Sequence, residues 1–260
     1  MGRMELAFAG IVTGALALSF ASSAATQGSA DLSGIWEGPG FDLAPAANGP
    51  GPVTNLSGDI QKPEGDYKNP ILQPWAAAIV KRWAQETHEG RAPPHAHALC
   101  YPTSLPGVMT LHNAYQFLQS PEKVTIIIAN QTQARHIYLN VPHSKNVTPS
   151  WYGESVGHYE GETLVVDTIG IKTMEVVPLD RFGTPHTEKL HIVERIRRMN
   201  AKELRIDYRI EDSGAFTMPF DAVVMFHPFR EWDEETCAEN NVDQTGKLIS
   251  GTPVDMSPAF

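Results

Sequence analysis

The sequence contains little cysteine, no large cluster of basic residues and only one long apolar run. Its 260 residues carry a formal net charge of -10, and the densest basic segment is residues 195–198. Nucleic-acid binding requires a basic patch or stripe, so nucleic acid is not an expected partner. The acidic residues are spread along the chain, which argues against an acidic tail.

Several common catalytic motifs are also missing. The sequence has no P-loop, no Gly-x-Gly-x-x-Gly and no His-Glu-x-x-His, which disfavours the commonest nucleotide-binding and zinc-protease classes. His95 and His97 lack a third ligand at a familiar spacing, so we favour a loop over a metal site there. We expect neither a bound metal nor a cofactor.

The N-terminus has the features of a signal peptide. Arg3 precedes an apolar run at residues 6–20, and small residues follow at positions 22–25. The run is short for a transmembrane helix, and the small residues suit signal peptidase. We predict that residues 1–25 are removed and that residues 26–260 form a periplasmic or secreted protein without a membrane span. A retained anchor is the alternative.

Cys100 and Cys237 are the only cysteines in the chain. An even number of cysteines in an exported protein predicts a disulfide bond between them. In the chain-entropy model, closing such a long loop stabilises the fold by about 4 kcal/mol. Neither cysteine lies in a Cys-x-x-Cys motif or at a predicted helix start, which disfavours a catalytic thiol.

The strand pattern predicts a single, mainly β domain. Alternating apolar segments bounded by turn signals recur from residue 124 onward, and no strand–helix alternation supports a parallel sheet. The one convincing helix is predicted at residues 74–89, with Trp75, Ala78, Ile79 and Trp83 on its apolar face. Long Pro- and Gly-rich segments wrap an antiparallel barrel or sandwich in this interpretation.

Glu194 is the first candidate site residue. In a predicted strand it shares a face with Ile192 and Ile196, and matching apolar faces across a turn at 199–202 places it opposite Tyr208. A buried carboxylate must be paired, hydrogen-bonded or protonated, and burial raises its pKa. A structural hydrogen bond from Tyr208 and an acid–base role for Glu194 are the two interpretations.

A second hairpin supplies Asp167. A turn at Glu160 and Gly161 would place Glu154 opposite Asp167, so that one carboxylate binds its proton more tightly. Alternatively, both face solvent, or an arginine neutralises them.

The remaining candidates are scattered along the sequence. His186 lies in a loop before the long strand, where it either relays protons beside Glu194 or is satisfied by backbone. Tyr138 and Trp151 are candidates for stacking on an aromatic ligand, with core filling as the alternative. Arg135 and Arg181 are the candidate cations, either neutralising the carboxylates or contacting a substrate.

Five segments together resemble a widespread family of exported bacterial proteins that are mostly uncharacterised. The segments read DLSGIW at 31–36, PSW at 149–151, GHYEGETLVVDT at 157–168, HTEKLHIVER at 186–195 and CAENN at 237–241. The resemblance covers nearly all of the predicted mature chain. It implies a lipocalin-like (calycin) barrel, in agreement with the strand pattern, and implies little about activity.

Three functions are compatible with these patterns. The favoured one is a cofactor-free lyase, dehydratase or isomerase that acts on a small apolar, aromatic or phenolic compound. Glu194, Tyr208, His186 and Asp167 would be its catalytic residues. A non-catalytic periplasmic carrier is the alternative, because it requires only a dry pocket and one polar anchor. A structural envelope protein with a filled core is the third.

Overall fold

A computed structural model describes residues 31–91, 96–174 and 177–232, without the side chains of residues 97 and 98. The predicted signal peptide, His95 and Cys237 lie outside these residues. The described strands are β1 (Gly34–Glu37), β2 (Ala44–Pro45), β3 (Ala114–Gln119), β4 (Lys123–Ile128), β5 (Arg135–Leu139), β6 (Glu154–Glu160), β7 (Thr163–Ile169), β8 (His191–Asn200), β9 (Glu203–Glu211) and β10 (Phe220–Pro228). Helix α1 spans Pro74–His88, and short 3-10 helices span Ala96–Leu99 and Gly107–Thr110.

Nine of these strands close into a β-barrel, as the mainly β prediction requires. Neighbouring strands follow the order β1-β3-β4-β5-β6-β7-β8-β9-β10, and β1 pairs with β10 to complete the ring. All of these pairs are antiparallel except β5–β6, in which Ile137 lies beside Ser155. The predicted antiparallel barrel is therefore confirmed, with one parallel pair where the long segment 140–153 returns the chain to the same end of the sheet.

Alternation along the strands fills the barrel with apolar side chains. The fully buried residues include Phe117, Ile126, Ile137, Leu164, Val166, Ile192, Ile196, Ile206, Ile210 and Phe226. Among the described residues, no helix is both long enough and apolar enough to cross a membrane.

The predicted register of β8 and β9 is confirmed. Ile192 lies opposite Ile210, Ile196 lies opposite Ile206, and Glu194 lies opposite Tyr208. All six residues are buried, so this face of the hairpin points into the barrel.

The predicted register of the β6–β7 hairpin is wrong. The turn is formed by Gly161 and Glu162, because Gly161 takes the positive φ (61°) that suits the first central position of a tight hairpin turn. Glu154 consequently pairs with Ile169, and Asp167 pairs with Val156. The two carboxylates are therefore not direct cross-strand partners.

Helix α1 forms where it was predicted but buries a different face. Ala76, Val80 and Trp83 are its buried residues. Trp75 is 43% exposed, and its indole N–H donates to the backbone oxygen of Gly214 across 2.9 Å. The helix therefore packs through positions spaced by four and three residues, which is the usual spacing of one helical face.

Residues 215–219, just before the last strand, do not belong to any strand. Asp212 instead organises a turn, in which its backbone oxygen accepts from the backbone N–H of Phe216 and its Oδ1 accepts from that of Gly214. The last barrel strand, β10, begins only at Phe220.

Candidate functional site

The predicted site residue Glu194 lies in the barrel interior, where it pairs with Arg135. Arg135 Nη1 donates to Glu194 Oε1 across 2.9 Å, and Nη2 donates to Oε2. Neither side chain is exposed to solvent. The guanidinium and the carboxylate thus form a bidentate ion pair, the most specific geometry available to these two groups.

Two small residues between the partners make this pair possible. Strands β6 and β7 separate β5 from β8 in the sheet, and Ser155 of β6 lies beside Thr168 of β7. Both hydroxyls lie within 3.4 Å of Arg135 Nη2, and they hydrogen-bond each other across 2.8 Å. The long arginine side chain therefore crosses two strands over short polar residues to reach Glu194.

Glu194 keeps Arg135 charged despite its burial. Burial alone lowers the pKa of Arg135, but the Glu194 carboxylate raises it above the ordinary value overall. A buried carboxylate needs a partner, and Arg135 provides it, so Glu194 does not require a ligand to be stable in the interior.

The predicted hydrogen bond from Tyr208 to Glu194 stays a prediction: the two side chains interact, but the hydroxyl lacks a partner of standard hydrogen-bond geometry. The Tyr208 hydroxyl, the Tyr152 hydroxyl and Arg135 Nε are all buried without a hydrogen-bond partner among the described residues. Burial, followed by the charge of Glu194, raises the pKa of Tyr208 well above its ordinary value. The tyrosine is therefore a neutral donor at the centre of the barrel.

Ser155 also belongs to a Gly-x-Ser-x-Gly sequence, Gly153 to Gly157, which in hydrolases marks a nucleophile at a strand-to-helix turn. Here the serine lies inside strand β6, with no helix after it. Its hydroxyl is engaged by Thr168 rather than by a histidine. The local sequence therefore matches the motif without the geometry that the motif requires.

Asp167 lies on the outer face of the barrel, away from Glu194. Its Oδ1 is 2.8 Å from His143 Nε2, and its Oδ2 is 2.9 Å from His191 Nε2. Burial raises the pKa of Asp167, but hydrogen bonds with these two histidines lower it overall. The sequence predicted that the charge of Glu154 would raise this pKa; His191 and His143 lower it instead.

Glu154 completes this outer cluster. His143 Nδ1 lies 2.9 Å from Glu154 Oε1, which also accepts from the backbone N–H of Ser144. The cluster therefore ties the segment 140–153 to the outer face of β6 and β7.

The structure does not place His186 beside Glu194. His186 is buried in the loop before β8, and its Nδ1 lies 3.2 Å from the backbone oxygen of Thr187. Its Nε2 has no hydrogen-bond partner among the described residues. Burial lowers the pKa of His186, so the neutral form is favoured.

Three further candidates lie outside the barrel. Trp151 stacks on Tyr101 with ring centroids 5.3 Å apart, while Tyr138 is on the outer face of β5. Arg181 binds Asp42 through two hydrogen bonds of 2.6 and 2.7 Å. Of the eight predicted catalytic and substrate-binding residues, the structure therefore brings together Glu194, Tyr208 and Arg135.

A cavity of about 700 Å³, here called the helix-side cavity, lies between α1, the segment 103–113 and the loop 177–181. Its walls include Phe41, Trp83, Ser104, Leu111, Asn130, Asp180 and Arg181. Three buried polar atoms of these walls, Trp83 Nε1, Ser104 Oγ and Asn130 Oδ1, have no hydrogen-bond partner within the described part of the chain. Buried polar atoms of this kind normally have a partner, so this cavity is a candidate binding site.

Asp180 is a buried titratable group in this wall that the sequence patterns did not single out. Its Oδ1 accepts hydrogen bonds from the backbone N–H groups of Phe182 (2.9 Å) and Thr184 (3.1 Å). Burial nevertheless raises the pKa of Asp180 to about 6. The segment from Asp180 to Gly183 resembles an ordinary turn in the sequence, and only α1 and the surrounding loops bury it.

Neither a metal-binding cluster nor a similarity to known proteins identifies the function of these sites. The described residues contain no group of three or more His, Cys, Asp or Glu side chains that could hold a metal ion. No protein-family model matches the chain, and no curated protein is significantly similar to it.

Proposed function

We propose that the protein binds a small, mainly apolar organic molecule in the helix-side cavity. The observation that carries this proposal is the set of three unpartnered buried atoms on Trp83, Ser104 and Asn130, all on residues of one cavity wall. Unsatisfied buried polar atoms are costly, and a ligand that supplies their partners regains that free energy on binding.

The three atoms define the polar part of the ligand. The Trp83 indole can only donate a hydrogen bond, the Asn130 oxygen can only accept one, and the Ser104 hydroxyl can do both. A hydroxyl or phenol group both donates and accepts. Apolar side chains such as Phe41 and Leu111 suit the rest of such a molecule. The predicted export of the chain makes a periplasmic carrier of a phenol-like compound the simplest form of this proposal.

The experiment compares 4-ethylphenol with ethylbenzene, which lacks the hydroxyl, by calorimetry on the mature protein. We expect 4-ethylphenol to bind more tightly, and Ser104→Ala or Trp83→Phe to weaken its binding by about five- to tenfold, as expected for one lost hydrogen bond. Trp75→Phe is the matched control, because Trp75 lies on the same helix with its indole bonded to Gly214. Equal binding of both probes, or equal weakening by the control, would refute the proposal.

Asp180 supports a second candidate function, namely cofactor-free acid–base turnover of the same ligand. A buried carboxyl with a pKa of about 6 in a cavity wall is suited to take or give a proton near neutral pH. This keeps the predicted lyase or isomerase class and moves the acid–base group from Glu194 to Asp180. Asp180→Asn should then abolish turnover while 4-ethylphenol still binds, whereas a carrier would show no turnover before or after the substitution.

A further inference from the structure

A second cavity, here called the strand cleft, lies beside the parallel strand pair. Its volume is about 380 Å³, and its walls include Gln133, His136, Tyr138, Asn146, Tyr152 and Glu154. Strands β5 and β6 pair over only three residues, from Ile137 beside Ser155 to Leu139 beside Gly157. The sheet is therefore short at this position, and the segment 140–153 forms the other wall of the cleft.

The strand cleft is polar but has no unpaired charge among its described walls. Neither lysine nor arginine lines it, and its single carboxylate, Glu154, is bonded to His143 and to the backbone N–H of Ser144. Arg135, behind the cleft, is already paired with Glu194. Burial, followed by the charge of Lys123, lowers the pKa of His136, which favours its neutral form. Lys123 lies beside the cleft without lining it, so the lining residues themselves suit a neutral polar ligand better than a charged one.

Two tyrosines give this cleft a specific recognition chemistry. Tyr152 is only 6% exposed, and its buried hydroxyl lacks a hydrogen-bond partner among the described residues. Tyr138 is 47% exposed and presents an aromatic ring at the wall. A sugar ring has an apolar face of C–H groups that packs on an aromatic ring, and an edge of hydroxyls that bond to amides, hydroxyls and carboxylates.

We propose that the strand cleft binds a neutral carbohydrate of one or two sugar rings. In this arrangement Tyr138 packs against a sugar face, while Tyr152 bonds to a hydroxyl at the bottom of the cleft. Gln133, Asn146 and Glu154 supply further partners around the ring. This site is separate from the helix-side cavity, with which it shares no lining residue.

The test titrates the oxidised mature protein with glucose, cellobiose and sodium glucuronate, monitored by NMR chemical shifts. We expect saturable binding of a neutral sugar and weaker binding of glucuronate. Tyr152→Phe should raise the dissociation constant by about tenfold for the loss of one buried hydrogen bond. Tyr138→Ala should abolish saturable binding, because it removes the packing surface.

Tyr159→Phe is the matched control, because it removes a hydroxyl that bonds to Gln119 elsewhere in the protein. It should leave sugar binding unchanged. Absence of saturable binding of both neutral sugars, preference for glucuronate, or equal weakening by Tyr152→Phe and Tyr159→Phe would each overturn the proposal. Binding of 4-ethylphenol should be unaffected by Tyr152→Phe, so failure at one cavity is distinguishable from failure at the other.

Discussion

Arg135 and Glu194 form a bidentate ion pair in the barrel interior although they are 59 residues apart in the sequence. Each is the charged partner that the other needs after losing its hydration. An ion pair of this kind adds little net stability over apolar residues of the same shape, but removing one partner leaves an unpaired buried charge. Substituting Glu194 can therefore show whether its role is structural or catalytic, because a structural role predicts a loss of stability.

We predict that Glu194→Gln lowers the free energy of unfolding by about 3–5 kcal/mol, the usual cost of an unpaired buried charge. Urea unfolding followed by circular dichroism measures this change. Glu160→Gln is the control, because Glu160 pairs with Arg195 on the surface, where an ion pair contributes little to stability.

The opposite result would support the acid–base role predicted from the sequence. In that case Glu194→Gln would abolish turnover with nearly unchanged stability, and Tyr208→Phe would lower the rate less.

A second prediction concerns the pH dependence that Asp180 imparts. Its pKa rises from 3.8 to about 6 on folding, so between these values the folded protein binds more protons than the unfolded chain. Stability from this group is therefore lost as the pH rises through that window, by up to about 3 kcal/mol. Asp180→Asn keeps the Oδ1 acceptor and should remove this slope, which makes the variant more stable than the wild type at pH 7.

Unfolding free energies at pH 4, 5, 6 and 7 test this sign. Asp59→Asn, in an exposed loop, provides the control and should leave the slope in place. A wild-type protein whose stability increases across this window, with no difference from Asp180→Asn, would contradict the assignment.

The outer cluster predicts a pH dependence of the same sign but with a different cause, namely attraction between charges rather than burial. Burial lowers the pKa of His143, but hydrogen bonds with Asp167 and Glu154 raise it overall. Protonated His143 faces both carboxylates, and beyond Asp167 lies His191, which faces Glu211. The stabilisation by His143 is complete below the unfolded pKa and is lost as the pH rises through the higher folded pKa.

We expect His143→Gln to lower the midpoint of thermal unfolding at pH 5 and to have less effect at pH 9. The stabilisation lost at pH 5 should be up to about 1 kcal/mol, since the cluster is partly exposed. His158→Gln, which alters the exposed pair of His158 with Glu160, is the matched control with a smaller effect. A larger effect at pH 9 than at pH 5 would show that the charge of His143 is not the stabilising factor.

The disulfide prediction needs a chemical test, since Cys237 lies outside the described residues. Peptide mapping of the unreduced mature protein should yield one fragment that links Cys100 to Cys237. Cys100→Ser should then lower stability by about 4 kcal/mol, the chain-entropy value for a long loop. Alkylation of both cysteines without prior reduction would disprove the bond.

The sequence by itself determined the β8–β9 hairpin. Strict alternation from residue 190 to 196 and from 204 to 210 allows only one register that buries both apolar faces, because a slip by one residue would expose them all. Glu194 was therefore placed inside the barrel, opposite Tyr208, without any knowledge of the fold. The β6–β7 register was missed because Gly161 can occupy either central position of a two-residue turn, and both choices leave alternating strands.

Tertiary structure alone decided which groups meet. Alternation along β5 puts Arg135 on the same face as Ile137, but only barrel closure brings β5 within reach of β8, across Ser155 and Thr168. Asp180 likewise has no periodic pattern around it, and its burial depends on how α1 packs on distant loops. Face and register follow from local side-chain period, whereas pairing across the barrel and the shape of a cavity depend on contacts between segments far apart in the chain.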